Sequence, residues 1–309
     1  MTWSPYYVGD GRPREVDLGD PPPWRSFPRR AHHEQFQPPP GLVEAVNAAL
    51  TLCRPLLVTG APGSGKSTVI EQVAAELRLG TVLRWHITSR STLADALYRY
   101  DALGRIHAQR LQGAAGSDDI APFLQMGPLG TALLPGKRPR ALLVDEIDKS
   151  DLDLPSDLLY VLERGEFEVP ELARYRDDVV DVREWQSERR HPVMKGRIRC
   201  DTFPFIVMTS NGERDFPAAF LRRCIRYSMP MPTLESLHRI VAAHLAVEEG
   251  QSGPVDALIE GFVARLAAGE SLAVDQLLNA VHVLTGTQAP SGEAARSVTE
   301  LILRELSGA

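Results

Sequence analysis

Nine consecutive residues have the chemistry to cradle a chain of phosphates. Gly60, Ala61, Pro62, Gly63, Ser64, Gly65, Lys66, Ser67 and Thr68 fill the pattern G-x-x-x-x-G-K-[ST] directly after the apolar run Pro55-Leu56-Leu57-Val58-Thr59. The three glycines let successive backbone N–H groups turn inward toward phosphate oxygens, while Lys66 supplies a compact positive charge and Ser67 a hydroxyl for Mg²⁺. A helix expected over Lys66–Leu79 adds the positive end of its dipole. A second run, Ala141-Leu142-Leu143-Val144-Asp145-Glu146, is an apolar strand that closes on two adjacent carboxylates. Taken alone, an acidic strand end is commonly a helix cap. Beside a phosphate loop, at the C-terminal edge of a parallel sheet where such sheets bind ligands, Asp145 is suited to hold the hydration shell of Mg²⁺. Glu146 is then suited to polarise an attacking water.

Two further groups belong to the same chemistry. Phe205–Asn211, reading FIVMTSN, is an apolar strand ending in small polar residues; Asn211 there can orient a water beside Glu146, although Asn after a strand is also an ordinary turn residue. Arg222 and Arg223, in Phe220-Leu221-Arg222-Arg223-Cys224, read either as surface charges or as an arginine that reaches a γ-phosphate across a subunit boundary.

The elements that must position these residues follow from patterning. Apolar runs and helical spacing predict a helix over Leu42–Leu52, strand Leu56–Thr59, strand Val82–Ile87, strand Ala141–Asp145, helix Ser156–Glu163, strand Phe205–Thr209 and strand Ile225–Met229. Such alternation predicts a parallel sheet covered by helices. After Pro230-Met231-Pro232, apolar residues recur at helical spacing near Leu234–Val247, Val255–Ala268, Ala273–Leu284 and Glu293–Leu306, a small all-helical domain. The expected organisation is a Pro-rich N-terminal arm over 1–40, a nucleotide-binding domain over 41–231 and a helical domain over 232–309.

Two stretches interrupt the alternation. Residues 88–135 read as a long, partly helical insertion. Residues 165–200 hold sixteen charged residues, eight of each sign, with Val179-Val180 and Val193–Arg199 patterned as hairpin strands; loops of this length inside a domain are usually functional or mobile. Trp185 in the second interruption reads as packing that insert against its own domain.

Composition excludes several classes. The chain has 309 residues, 43% of them hydrophobic, enough for one large or two ordinary domains. No apolar run approaches the roughly 20 residues that span a bilayer, and Met1–Gly9 lacks a secretory pattern, so the expected location is cytoplasmic, with no membrane partner. Cys53, Cys200 and Cys224 are scattered and suggest neither a disulfide framework nor a zinc site. His32 and His33 stand in the arm without partners at metal spacing and read as an exposed pair. The net charge of −6 is concentrated after residue 231, where four Arg face ten acids, which argues against a nucleic-acid partner.

The combination GAPGSGKST, LLVDEIDK, VMTSN and AFLRRCI, in that order and followed by a helical domain, resembles the AAA+ ATPases, and within them the MoxR-like branch, over about residues 38–309. The resemblance implies a P-loop αβα sandwich with a five-stranded parallel sheet and a small helical lid. It also implies ATP with Mg²⁺ as cofactors and a homo-oligomeric ring, usually a hexamer. Carried onto this chain, it places Lys66, Ser67 and Thr68 in the phosphate loop, makes Asp145 and Glu146 the Mg²⁺ and base acids, and puts Asn211 at the sensor position. Arg223 becomes the better arginine finger, with Arg222 second. A helical insert after the second strand and a hairpin before the sensor strand are also features of that branch, and segments 88–120 and 165–200 sit where these belong. The helix near Ser271–Val274 departs from many lids: Ala273 stands roughly where an arginine is aimed at the nucleotide. MoxR-like proteins remodel or activate protein clients, often ones with von Willebrand factor A domains. The alternatives are an ATP-binding scaffold subunit with slow turnover and a DNA-acting motor.

Overall fold

The computed structural model describes residues 6–16, 21–26, 36–112, 119–245, 253–286 and 289–304; His32 and His33 lie outside them. The strands in chain order are β1 (Leu56–Thr59), β2 (Leu83–His86), β3 (Tyr98–Tyr100), β4 (Leu124–Met126), β5 (Ala141–Asp145) and β6 (Glu166–Glu168). They continue with β7 (Val179–Arg183), β8 (Arg190–Met194), β9 (Arg197–Arg199), β10 (Phe205–Ser210) and β11 (Ile225–Ser228). The helices are α1 (Leu42–Leu52), α2 (Thr68–Glu76), α3 (Leu93–Leu97), α4 (Ala102–Gln112), α5 (Pro128–Ala132) and α6 (Leu154–Arg164). After them come α7 (Pro170–Ala173), α8 (Ala218–Leu221), α9 (Leu234–Leu245), α10 (Gly253–Ala267), α11 (Val274–Thr285) and α12 (Gly292–Ile302). By contact density the chain forms two compact units, one of Pro38–Thr59 with Lys66–Ser228, the other of Met1–Gln37, Gly60–Gly65 and Met229–Ala309.

In the first unit, β1, β2, β5, β10 and β11 form a five-stranded parallel sheet in the order β11-β1-β10-β5-β2. Its central strands are buried from end to end, as in Leu56–Val58, Ala141–Val144 and Phe205–Ser210, because helices cover both faces and leave no polar side to alternate with. Burial of each large aliphatic side chain here stabilises the fold by about 1.5–3 kcal/mol. The order matters for chemistry: β10 lies between β1 and β5, so the polar end of FIVMTS is inserted between the strand that leads to the phosphate loop and the strand that ends in Asp145. The register Met208↔Val144 and Asp145↔His86 brings Thr209, Asp145 and His86 to one edge.

The two interruptions of the alternation are one structure. Strands β3 and β4 from the first and β6 to β9 from the second make a six-stranded sheet in the order β3-β4-β7-β8-β9-β6, joined where Gln125 of β4 pairs with Arg183 of β7. In β7 the alternation is strict, with Val180 and Val182 buried and Val179, Asp181 and Arg183 exposed, the pattern of a sheet with one covered face. The expected strand Val193–Arg199 is divided into β8 and β9. Lys195 and Gly196, at φ +50° and +70°, form a two-residue turn of the kind that needs positive φ at both central positions. A Cβ on Gly196 would also lie 2.5 Å from the Val169 carbonyl oxygen. Trp185 packs inside this unit: its backbone N–H donates to Thr131 Oγ1 at 2.9 Å, and the Arg99 guanidinium lies 5.3 Å from its ring centroid.

The second unit is built on α9 to α12, whose apolar faces meet in a core that includes Leu237, Ile259, Phe262, Leu277 and Val281. Trp24, from the Pro-rich arm, packs on that core; its indole N–H donates to Asn279 Oδ1 at 3.0 Å and its ring meets His282 edge-on. Among the described residues no helix is long and apolar enough to cross a membrane.

Candidate active site

The phosphate-loop residues Gly60–Gly65 turn through backbone conformations that glycine alone adopts without strain, with φ +72° at Gly63 and +82° at Gly65. Space is equally restrictive. A Cβ on Gly63 would stand 3.0 Å from the Val274 N and 3.2 Å from Asp275 Oδ1, and one on Gly65 would stand 3.1 Å from the Phe36 ring. The Ser64 hydroxyl in this loop is buried and makes no hydrogen bond among the described residues. Ala273, the position noted for its missing arginine, is the N-cap of α11, where its N–H donates to Gln276 Oε1 at 2.9 Å.

The helix after the loop begins at Thr68, not at Lys66. Lys66 and Ser67 belong to the turn, and the Ser67 hydroxyl, instead of capping the helix, donates to Asp145 Oδ1 at 2.8 Å. Lys66 is 7% exposed. Burial lowers its pKa, and the charges of Asp148, Asp145 and Glu146 oppose that shift.

Asp145 ends β5 and Glu146 directly follows it, opening the short 3-10 helix Ile147–Lys149. Asp145 Oδ1 accepts from Ser67 and, at 2.6 Å, from the Thr209 hydroxyl. Thr209 Oγ1 in turn accepts the Glu146 N–H at 2.9 Å, so one buried hydroxyl ties both acids together. Glu146 is held at φ 60°, ψ 49°, in the left-handed region, a conformation that costs a non-glycine residue on the order of 1–2 kcal/mol and persists where surrounding bonds over-determine it. Its carboxylate meets three groups: Lys149 Nζ at 2.9 Å, Asn211 Nδ2 at 3.5 Å and His86 Nε2 at 3.7 Å. His86 Nδ1 lies 3.9 Å from Asp145 Oδ2. Around them His86, Thr88, Ser89, Glu146, Asp148 and Lys149 line part of an open cleft of about 520 Å³.

The fold thus gathers Lys66, Ser67, Asp145, Glu146 and Asn211 at the C-terminal edge of the parallel sheet. Thr68 opens α2 beside them. Arg222 and Arg223 are not brought there. They precede β11, whose first residue Ile225 donates to the Pro55 carbonyl at 2.9 Å, and so sit at the N-terminal edge of the same sheet. The Arg223 guanidinium pairs with Glu163 and donates to the Ala219 carbonyl at 3.2 Å; the Arg222 carbonyl accepts from Arg54 Nη1 at 3.1 Å. Four residues that sequence reasoning did not single out complete the site: His86, Asp148, Lys149 and Thr209. Thr209 carried a signal, since a polar residue two positions before Asn211 in an otherwise apolar strand must find a partner when buried. Asp148 and Lys149 stand inside the run LLVDEIDK, but nothing local to that run marks which of its charges is buried.

The family model for the AAA domain of the dynein-related subfamily matches residues 55–224. No curated protein sequence matches the chain. Among solved structures, NtrX from Brucella abortus with ADP is 15% identical over 83% of this chain and 51% of its own, with a TM-score of 0.42. The same protein with ATP is 14% identical at the same coverage, with a TM-score of 0.41. A RuvB mutant from Thermotoga maritima is 18% identical over 85% of this chain and 68% of its own, with a TM-score of 0.43. The chain spans about half the length of the NtrX chains it matches. Because the family match runs from the strand before the phosphate loop to the residues just before β11, more than half of the sequence, this chain belongs to the AAA domain family, dynein-related subfamily.

Proposed function

We propose that this protein is a MoxR-like AAA+ ATPase that hydrolyses ATP, with Mg²⁺, to remodel or activate a protein client, within a homo-oligomeric ring. The observation that carries the reading is the bonded chain Ser67–Asp145–Thr209–Glu146 beside the buried Lys66. The residues present fit the cofactors. Ser67 Oγ and the Asp145 carboxylate are adjacent hard oxygen donors of the kind Mg²⁺ takes alongside phosphate and water, and the buried, unbonded Ser64 hydroxyl lies in a loop whose glycines permit inward-facing N–H groups. Bound Mg²⁺–ATP supplies the phosphoryl group and a metal that neutralises its developing charge.

The chain's own residues supply the rest. Lys66 offers its charge to phosphate oxygens, and Asp145, fixed by two hydroxyl donors, would hold Mg²⁺ together with Ser67. Glu146 accepts a proton from the attacking water once it leaves the ion pair with Lys149, and Asn211 fixes that water's direction. Arg223, at the opposite edge of its own sheet, serves the site of a neighbouring copy, where its charge stabilises the transition state; Arg222 is the second choice. A client with a von Willebrand factor A domain is the partner suggested by the branch resemblance.

Glu146→Gln tests this reading. The variant is expected to bind a fluorescent ATP analogue as the wild type does and to lose at least about 100-fold in turnover. It should also retain any client on ATP-dependent pull-down. Equal, slow hydrolysis by both proteins would replace the remodelling reading with that of a nucleotide-dependent scaffold. Stimulation of turnover by DNA at low salt would point to a motor on DNA.

A further inference from the structure

Asp148 follows the two site acids by a single turn, on the short 3-10 helix Ile147–Lys149, and is 3% exposed. One of its carboxylate oxygens, Oδ2, accepts two backbone N–H bonds from the turn that ends β10, from Asn211 at 2.9 Å and from Glu213 at 3.2 Å. The other, Oδ1, is buried and receives no hydrogen bond among the described residues. Isolating a carboxylate from water is costly, and a partly bonded one remains costly. An apolar residue would suit this position better if packing were its only duty. Asp148 is also first among the charges that oppose the burial of Lys66. The carboxylate is therefore bonded to the backbone of the turn that carries Asn211, and its charge favours the protonated Lys66.

We propose that Asp148 is a positioning residue, which fastens the Asn211–Glu213 turn so that the Asn211 amide stays beside Glu146. It acts through Asn211 and not on the substrate. Its two bonds go to backbone, so they set the place of the turn whatever the side chain of residue 211 does. Asn211 Nδ2 stands 3.5 Å from Glu146 Oε1, at the outer limit of a hydrogen bond, so a small drift of the turn would break the alignment. The assignment rests on the ATPase reading of Glu146 and Asn211.

The test compares Asp148→Ala with Asp148→Asn in the full chain. Asparagine keeps an oxygen that can accept both N–H bonds, whereas alanine removes it. Steady-state ATP hydrolysis is measured alongside binding of a fluorescent ATP analogue and thermal melting. Expected are a fall in kcat of the alanine variant on the order of 10-fold to 100-fold with KM within about 3-fold, and recovery of most of that loss in the asparagine variant. The inference is overturned if the alanine variant keeps wild-type kcat, if KM rises in step with the loss, or if asparagine is as damaging as alanine. Should alanine prevent folding, the asparagine variant decides: near wild-type kcat supports the role of the oxygen, and a loss like that of a folded Asn211→Ala variant overturns it. Absence of hydrolysis in the wild type would sink the ATPase reading and this inference with it; an active wild type with an unaffected alanine variant sinks this inference alone.

Discussion

Thr209 shows how much one hydroxyl can arrange. It donates to Asp145 and accepts from the Glu146 N–H, so it sets the spacing of the two acids and holds the left-handed backbone between them. Thr209→Val keeps shape and removes the hydroxyl; because Thr209 is fully buried, the orphaned N–H is expected to cost about 1–3 kcal/mol in urea denaturation and to lower ATP turnover, while Thr209→Ser retains both. Cysteine chemistry separates by burial in the same manner. Burial pushes the Cys224 thiol up to about 12, whereas Cys53 is exposed. Iodoacetamide at pH 8 is therefore expected to label Cys53 well ahead of Cys224, read by peptide mass spectrometry. Because the folded value is raised, the protonated Cys224 stabilises the fold fully below the ordinary thiol value of 9.0 and loses that contribution as pH climbs through about 12.

At the scale of elements, the six-stranded sheet built from both interruptions carries an uncommon row. Arg99, Gln125, Arg183 and Arg190 stand opposite one another across β3, β4, β7 and β8. Arg183 Nη2 donates to Gln125 Oε1 at 3.3 Å, but Arg183 and Arg190 are like charges directly opposed on an exposed face, an arrangement that destabilises a pair of strands. Arg190→Glu is expected to raise stability by up to about 1 kcal/mol, measured by urea denaturation at low salt, and the gain should shrink as salt screens the new pair. The strands of this sheet were only partly legible. Val180 and Val182 alternate visibly with Asp181 and Arg183, and the hairpin was expected. Tyr98–Tyr100 and Leu124–Met126 are three residues each, too short for periodicity, and acquire strand character only by pairing with partners from elsewhere in the chain.

For the whole molecule, the position of Arg223 sets the next test. It sits at the edge of the sheet opposite to Glu146, so on the proposed reading its charge acts in another copy. Arg223→Ala and Glu146→Gln are each expected to lose turnover. Mixed in equal amounts they should regain a measurable fraction, because a subunit that keeps Glu146 can meet a neighbour that keeps Arg223. No regain on mixing would place the finger elsewhere. The phosphate loop, the acidic end of β5, the strand leading to Asn211 and the four C-terminal helices were all legible in the linear sequence, because each is contiguous and its chemistry or periodicity is local. The start of α2 was misplaced by two residues, since the Ser67 hydroxyl is claimed by Asp145, about eighty residues away. Strand neighbours, the union of two interruptions in one sheet, and the burial of Thr209 and Asp148 could not be read from any local window. They depend on which segments meet across the core, and that is decided by long-range hydrogen bonding and the exclusion of water, forces that act on distance in space and carry no mark at a single position in the chain.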